Sequence, residues 1–188
     1  MASASSRDHW IWHVLRREAE TMVFPGTTAL LEGKYQPRDN TERLALLGVC
    51  RFEDRTGASA RLYADAFRAD PKLADDHRYH AACAAARAGC GQGEDATGLG
   101  GAERKRWRDQ AREWLRADLA ARVHAFDADP TAARAGVRKA LRRWREDPDL
   151  TCVRNPGELE KLNADERKEY DALWQAVGNL LSRAGDGQ

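Results

Sequence analysis

The chain has no Cys-x-x-Cys pair among its four cysteines, few β-branched residues and no long apolar run. Each shortage excludes something. Without the Cys-x-x-Cys knuckle, the usual structural zinc sites have no starting point. Cys50, Cys83, Cys90 and Cys152 stand in Ala- or Leu-rich surroundings, which reads as buried free thiols rather than a disulfide framework. The scarcity of β-branched residues disfavours strands. Near the N-terminus the apolar run of MASASSRDHWIWHVLRREAE is interrupted by arginines and a glutamate. It is too short for a signal core or a bilayer span, so the expectation is a cytoplasmic protein with no membrane partner. An excess of one charge is also missing: 31 Lys and Arg face 30 Asp and Glu, for a net charge of +1. That balance argues against a partner held by bulk charge, nucleic acid included.

What is present is helix. The chain is rich in Ala and Arg, and 32% of it is charged with the two signs mixed along its length, as on solvated helix faces. Leu62, Tyr63, Ala66 and Phe67 recur at three- and four-residue spacing, and Asp70-Pro71 ends that run. Asp39 followed by Glu42 predicts a helix start near Asn40, with a turn at Arg55-Thr56-Gly57. The small residues from Tyr79 to Gly89 predict a helix that a neighbour approaches closely. Residues 89–101 hold six of the fifteen glycines and read as an extended surface loop. They are not a phosphate cradle, because a helix precedes them and no Gly-Lys-Ser/Thr follows.

Trp107, Ala111, Trp114, Leu115, Leu119, Val123 and Phe126 form the apolar stripe of a long helix over Glu103–Phe126. Asp129-Pro130 opens a further helix that Asp147-Pro148 closes. Asn155 to Glu158 and Asn163 to Glu166 repeat the capping signature before a final helix through Tyr170, Leu173, Trp174, Val177, Leu180 and Leu181. The expected organisation is a disordered segment over 1–7, one helical domain over 8–183 and a disordered tail over 184–188.

Candidate chemistry is sparse. His77, His80, Cys83 and Cys90 are the only metal-like grouping, and packing is the simpler reading, so no metal, cofactor or catalytic residue is assigned. The positive signal is the row Arg104, Arg108, Arg112 and Arg116, four residues apart on the long helix. It lies away from the Trp107–Leu115–Leu119 stripe, and packing alone does not account for it. It therefore stands as the candidate contact for an acidic or phosphorylated protein segment, with Asp109, Glu113 and Asp118 as the competing neutralisers.

The segment from Asn40 to Leu73 has tetratricopeptide length, about 34 residues. Ser59, Tyr63, Ala66 and Pro71 fall on that repeat's late positions, and Leu46 on an early one. Arg43, Leu47 and Cys50 depart from it. A second unit places Ala82 and Gly89 in one helix and Ala111 and Leu115 in the next, with the glycine loop inserted between. ERLALLGVCRF, ARLYADAFRADPKLADDHRYHAACAAARAGCGQGEDA, WLRADLAARV and WREDPDLTCVRNPGELEKL resemble the C-terminal tail of planctomycete-type serine/threonine protein kinases. The resemblance covers roughly Leu15 to Leu181. It departs at Asp75-Asp76-His77, where residues are missing, and at His80, where Asn is usual.

The resemblance implies an all-α, tetratricopeptide-like array of about three helical hairpins. No kinase residue carries over: the phosphate loop, strand lysine, catalytic Asp with its Asn, and DFG are all missing. The function expected is a non-catalytic protein-interaction module of bacterial kinase-associated type. The alternative is a nucleic-acid or acidic-ligand binder using the Arg row.

Overall fold

The computed structural model describes residue 29 and residues 34–185. The apolar stripe of Ile11, Val14, Leu15, Ala19, Met22 and Val23 predicts a helix from Asp8, flanked by Trp10 and Trp12, which lies outside the described residues. Among the described residues all regular structure is helical. The helices are α1 (Asn40–Phe52), α2 (Thr56–Ala69), α3 (Leu73–Gly89), α4 (Gly101–Ala128) and α5 (Pro130–Glu146). A 3-10 helix (Pro148–Val153), a one-turn helix α6 (Pro156–Leu159) and α7 (Ala164–Gly185) complete the chain. Each long helix packs on the next, α1 on α2 through α4 on α5, and α7 closes the molecule against α5 and α4.

Local chemistry sets the boundaries. Asp39 Oδ1 accepts from the Glu42 backbone N–H at 2.9 Å, so α1 starts where the capping signature predicts. Glu42 does not reach back to Asp39. Its carboxylate takes the Tyr35 hydroxyl and the Arg38 backbone N–H. Asp129 caps α5 through Ala132 N at 3.0 Å, with Pro130 in the first turn. Asn163 caps the start of α7 through Glu166 N at 2.9 Å. Asn155 makes no such side-chain bond, so α6 rests on Pro156 in its first turn rather than on a cap.

Four expectations are corrected. The second Ala-rich helix begins at Leu73, not Tyr79. Thr56 and Gly57 are the buried first residues of α2 rather than a turn. α7 runs to Gly185 with Ala184 fully buried, two residues past the expected domain end. Cys90 and Cys152 form a disulfide, joining the C-cap of α3 to the 3-10 helix, while Cys50 and Cys83 are free and buried. The pair was invisible in sequence because its members are 62 residues apart.

The main core runs from α3 to α7 and includes Ala82, Ala85, Trp107, Leu115, Leu141, Trp144, Val153, Tyr170 and Val177. A smaller cluster of Leu46, Cys50, Ala58 and Leu62 joins α1 to α2. The alanines of α3 bring α4 in close. A Cβ on Gly89 would stand 2.5 Å from Arg108 Cγ and 2.7 Å from Arg108 N, so only glycine fits there.

The glycine-rich loop is folded onto the domain rather than extended from it. The Asp95 carboxylate accepts from Gly57 N at 3.0 Å and Ala58 N at 2.7 Å, which caps α2 from outside its own sequence neighbourhood. Arg55, the residue in the N-cap position, supplies no side-chain cap. Gly93 adopts φ +109° against Thr56 and the Asp54 carbonyl, where a side chain would be strained and would collide.

Candidate functional site

The arginine row of α4 faces the chain's own C-terminal helix. Arg108 Nε and Nη2 donate to the two Glu166 carboxylate oxygens at 2.9 and 3.2 Å, and Nη1 donates to the Gly89 carbonyl at 2.7 Å. Glu166 is 3% exposed. Arg112 is 9% exposed, pairs with Asp109 at 3.0 Å and Glu169 at 2.6 Å, and lies 5.8 Å over the Tyr170 ring. Arg104 donates to the Thr97 carbonyl at 2.6 Å and packs on Gly91. Arg116 is exposed and reaches only the Glu169 carbonyl, at 3.5 Å. Contacts within the chain account for Arg104, Arg108 and Arg112, contrary to the sequence reading, and leave Arg116 exposed. Of the expected neutralisers, Asp109 answers Arg112, Glu113 accepts from Gln110, and Asp118 pairs with Arg122 at 2.8 Å. Burial raises the Asp109 carboxyl, but hydrogen bonds from Lys105 and Arg112 outweigh it and hold it below the usual carboxylate range.

The metal-like grouping also comes apart. Cys90 is in the disulfide, and the His77 ring packs 6.4 Å from Tyr63. Among the described residues Cys83 instead meets Asp147 and Asp149, with one ligand atom from each within 4.8 Å of the others. Those carboxylates are already answered. Asp147 accepts from the Tyr79 hydroxyl at 2.5 Å and from Asp149 N at 3.0 Å, and Asp149 lies 3.6 Å from Arg87 Nε.

His80 and Cys83 instead line a cleft of about 370 Å³. Leu47, Cys50 and Arg51 of α1 line it together with Thr56, Ser59 and Tyr63 of α2. Cys83, Ala84 and Arg87 of α3 are its floor. Arg143 of α5, Asp147 and Asp149 form the far side. The far side is rigid: Tyr79 stacks on Trp144 at 5.7 Å with 9° between the planes, and Asp147 caps the 3-10 helix. The disulfide holds that helix to α3 three residues beyond Asp149.

The thiols in this cleft are inert. Burial pushes Cys83 up to about 12 and Cys50 up to about 11, so both stay protonated at neutral pH. Burial, then Arg143 and Arg51, hold the His80 imidazole below its ordinary value, and burial raises Asp149. Arg87 bridges Asp54 at 2.7 Å and Asp149. What the cleft offers a visitor is therefore shape, an apolar strip at Leu47 and Ala84, and guanidinium groups.

The sequence reading missed this cleft. Its signal was faint: His80, Cys83 and Arg87 recur at three- and four-residue spacing, but nothing local shows that α1 and the end of α5 face them. No helix among the described residues is long and apolar enough to cross a membrane. No family model, no curated protein and no solved structure matches this chain.

Proposed function

We propose that the chain is a non-catalytic protein-interaction module of tetratricopeptide type, related to or detached from a bacterial serine/threonine kinase, and that the cleft is its docking face. The observation that carries this reading is that α1, α2, α3 and the end of α5, packed in sequence, together line one cleft. Stacked helical repeats bury a continuous core and leave an extended concave surface for partners. The consecutive packing of α1 to α5 agrees with that arrangement. The alternative, nucleic acid or another acidic ligand on the α4 arginines, is weaker, because Arg104, Arg108 and Arg112 already donate within the chain.

A photo-cross-linking residue at position 84, in the cleft, tests the reading against the same residue at position 145, exposed on the last turn of α5. Expressed in source cells, the first gives a discrete protein adduct and the second does not. Equal labelling at both positions, or adducts with nucleic acid alone, would count against it. With ATP and magnesium the purified chain transfers no phosphate, and stoichiometric ATP binding would overturn the non-catalytic reading.

A further inference from the structure

We infer that the cleft contains a phosphate subsite, in which Arg51 and Arg143 take the oxygens of a phosphorylated side chain beside His80. This names the ligand class of the docking face proposed above and rests on that reading. Arg51, in the last turn of α1, is exposed, and its guanidinium has no hydrogen bond or ion pair to a described residue. The Arg143 guanidinium, in the last turn of α5, makes no hydrogen bond either. It lies 4.9 Å over the Tyr79 ring, with Nε in a loose ion pair 3.8 Å from Asp147, beyond hydrogen-bond reach. Stacking on Tyr79 fixes its plane and leaves the donors on its edge free.

His80 lines the same cleft: its ring is 5.7 Å from that of Tyr79, and both guanidiniums act on it. Arg55 adds a third guanidinium to the same lining, with Nε enclosed and lacking a hydrogen-bond partner.

The aspartates of the cleft offset these cations only in part: Asp147 pairs with Arg143 at 3.8 Å, and Arg51 acts on Asp149 without a contact. Asp54 and Asp149 pair with Arg87, and the hydrogen bonds of Asp147 come from the Tyr79 hydroxyl and the Asp149 backbone N–H rather than from Arg143. Geometry selects the anion. A carboxylate has two coplanar oxygens and satisfies one guanidinium fork. A phosphate has three free oxygens, pointing apart, and can meet forks arriving from two helices at once.

The test uses the full chain and a short Gly/Ser peptide carrying one phosphoserine, with its unphosphorylated and Glu-substituted forms as controls. Binding is read by calorimetry and by the His80 ring signals in NMR. The phosphopeptide is expected to bind at least tenfold more tightly than either control and to shift His80. Arg51→Gln and Arg143→Gln each weaken it at least tenfold, and Arg145→Gln by less than twofold.

The inference is overturned if the phosphopeptide binds no better than its controls, or if the Arg51 and Arg143 variants bind like the parent. Ala84→Tyr, which fills the cleft, separates the two readings. Peptide binding lost in Ala84→Tyr but kept in both arginine variants removes the phosphate subsite and leaves the docking face standing. Binding kept in all three removes both. Circular dichroism of each variant confirms that helicity is retained.

Discussion

Arg108 shows how one side chain can be misread from its spacing. On α4 it belongs to a row of four arginines, yet its three bonds go to Glu166, 58 residues later, and to Gly89. Both partners of the pair are nearly dry, at 14% and 4% side-chain exposure. Removing one partner of a buried pair leaves an uncompensated charge, which costs about 3–5 kcal/mol. Arg108→Ala and Glu166→Ala should each destabilise the fold by that order in urea unfolding. Arg116→Ala, on the exposed end of the row, should cost less than about 0.5 kcal/mol. Equal small losses at all three would mean that the α4–α7 contact is not held by this pair. The tryptophans divide in the same way. Trp144 is buried in the core, whereas Trp114 and Trp174 are half-buried, Trp114 edge-on to Phe67 and Trp174 bonded to the Val153 carbonyl at 2.7 Å.

At the scale of the element, each helix is a local decision with a few distant corrections. α1, α5 and α7 carry their own side-chain caps, which depend on residues three apart and can be read in sequence. α2 does not: its cap is Asp95, borrowed from the glycine loop 37 and 38 residues later. Loss of an N-cap costs about 0.5–2 kcal/mol. Asp95→Ala should therefore lower stability by roughly 1–2 kcal/mol, with hydrogen exchange accelerated in the first turn of α2 and unchanged in α5. Uniform acceleration across the molecule would show that the loop acts on global stability and not as a cap. The loop's glycines thus have an identifiable task at Gly93, where φ +109° threads the chain past Thr56.

At the scale of the whole molecule, the Cys90–Cys152 disulfide closes a long stretch of chain between α3 and the 3-10 helix. A cross-link over 62 residues restricts the unfolded chain enough to add about 4 kcal/mol in the chain-entropy account. Reduction, or the double change of Cys90 and Cys152 to Ser, should lower the unfolding free energy by up to that amount while leaving the helical content intact. No change in stability under reducing conditions would show that the two sulfurs are not bonded in solution. The stapled 3-10 helix carries Asp149, so the same experiment reports on how firmly the far side of the cleft is held.

The sequence by itself determined the all-helical class, the stops at Asp70-Pro71 and Asp147-Pro148, the caps at Asp39, Asp129 and Asn163, and the core stripe of Trp107, Ala111, Leu115 and Leu119. All of these depend on contacts within one or two helical turns, and a period of 3.6 residues writes them into the local pattern. Only the tertiary structure decided what the arginines of α4 touch, what caps α2, which cysteines pair, and that Arg51, His80 and Arg143 share one cleft. Arg108 and Glu166 lie 58 residues apart, Ala58 and Asp95 37, Cys90 and Cys152 62, and Arg51 and Arg143 92. A side chain's charge and spacing show which partners it can accept, and only the path of the backbone shows which one arrives.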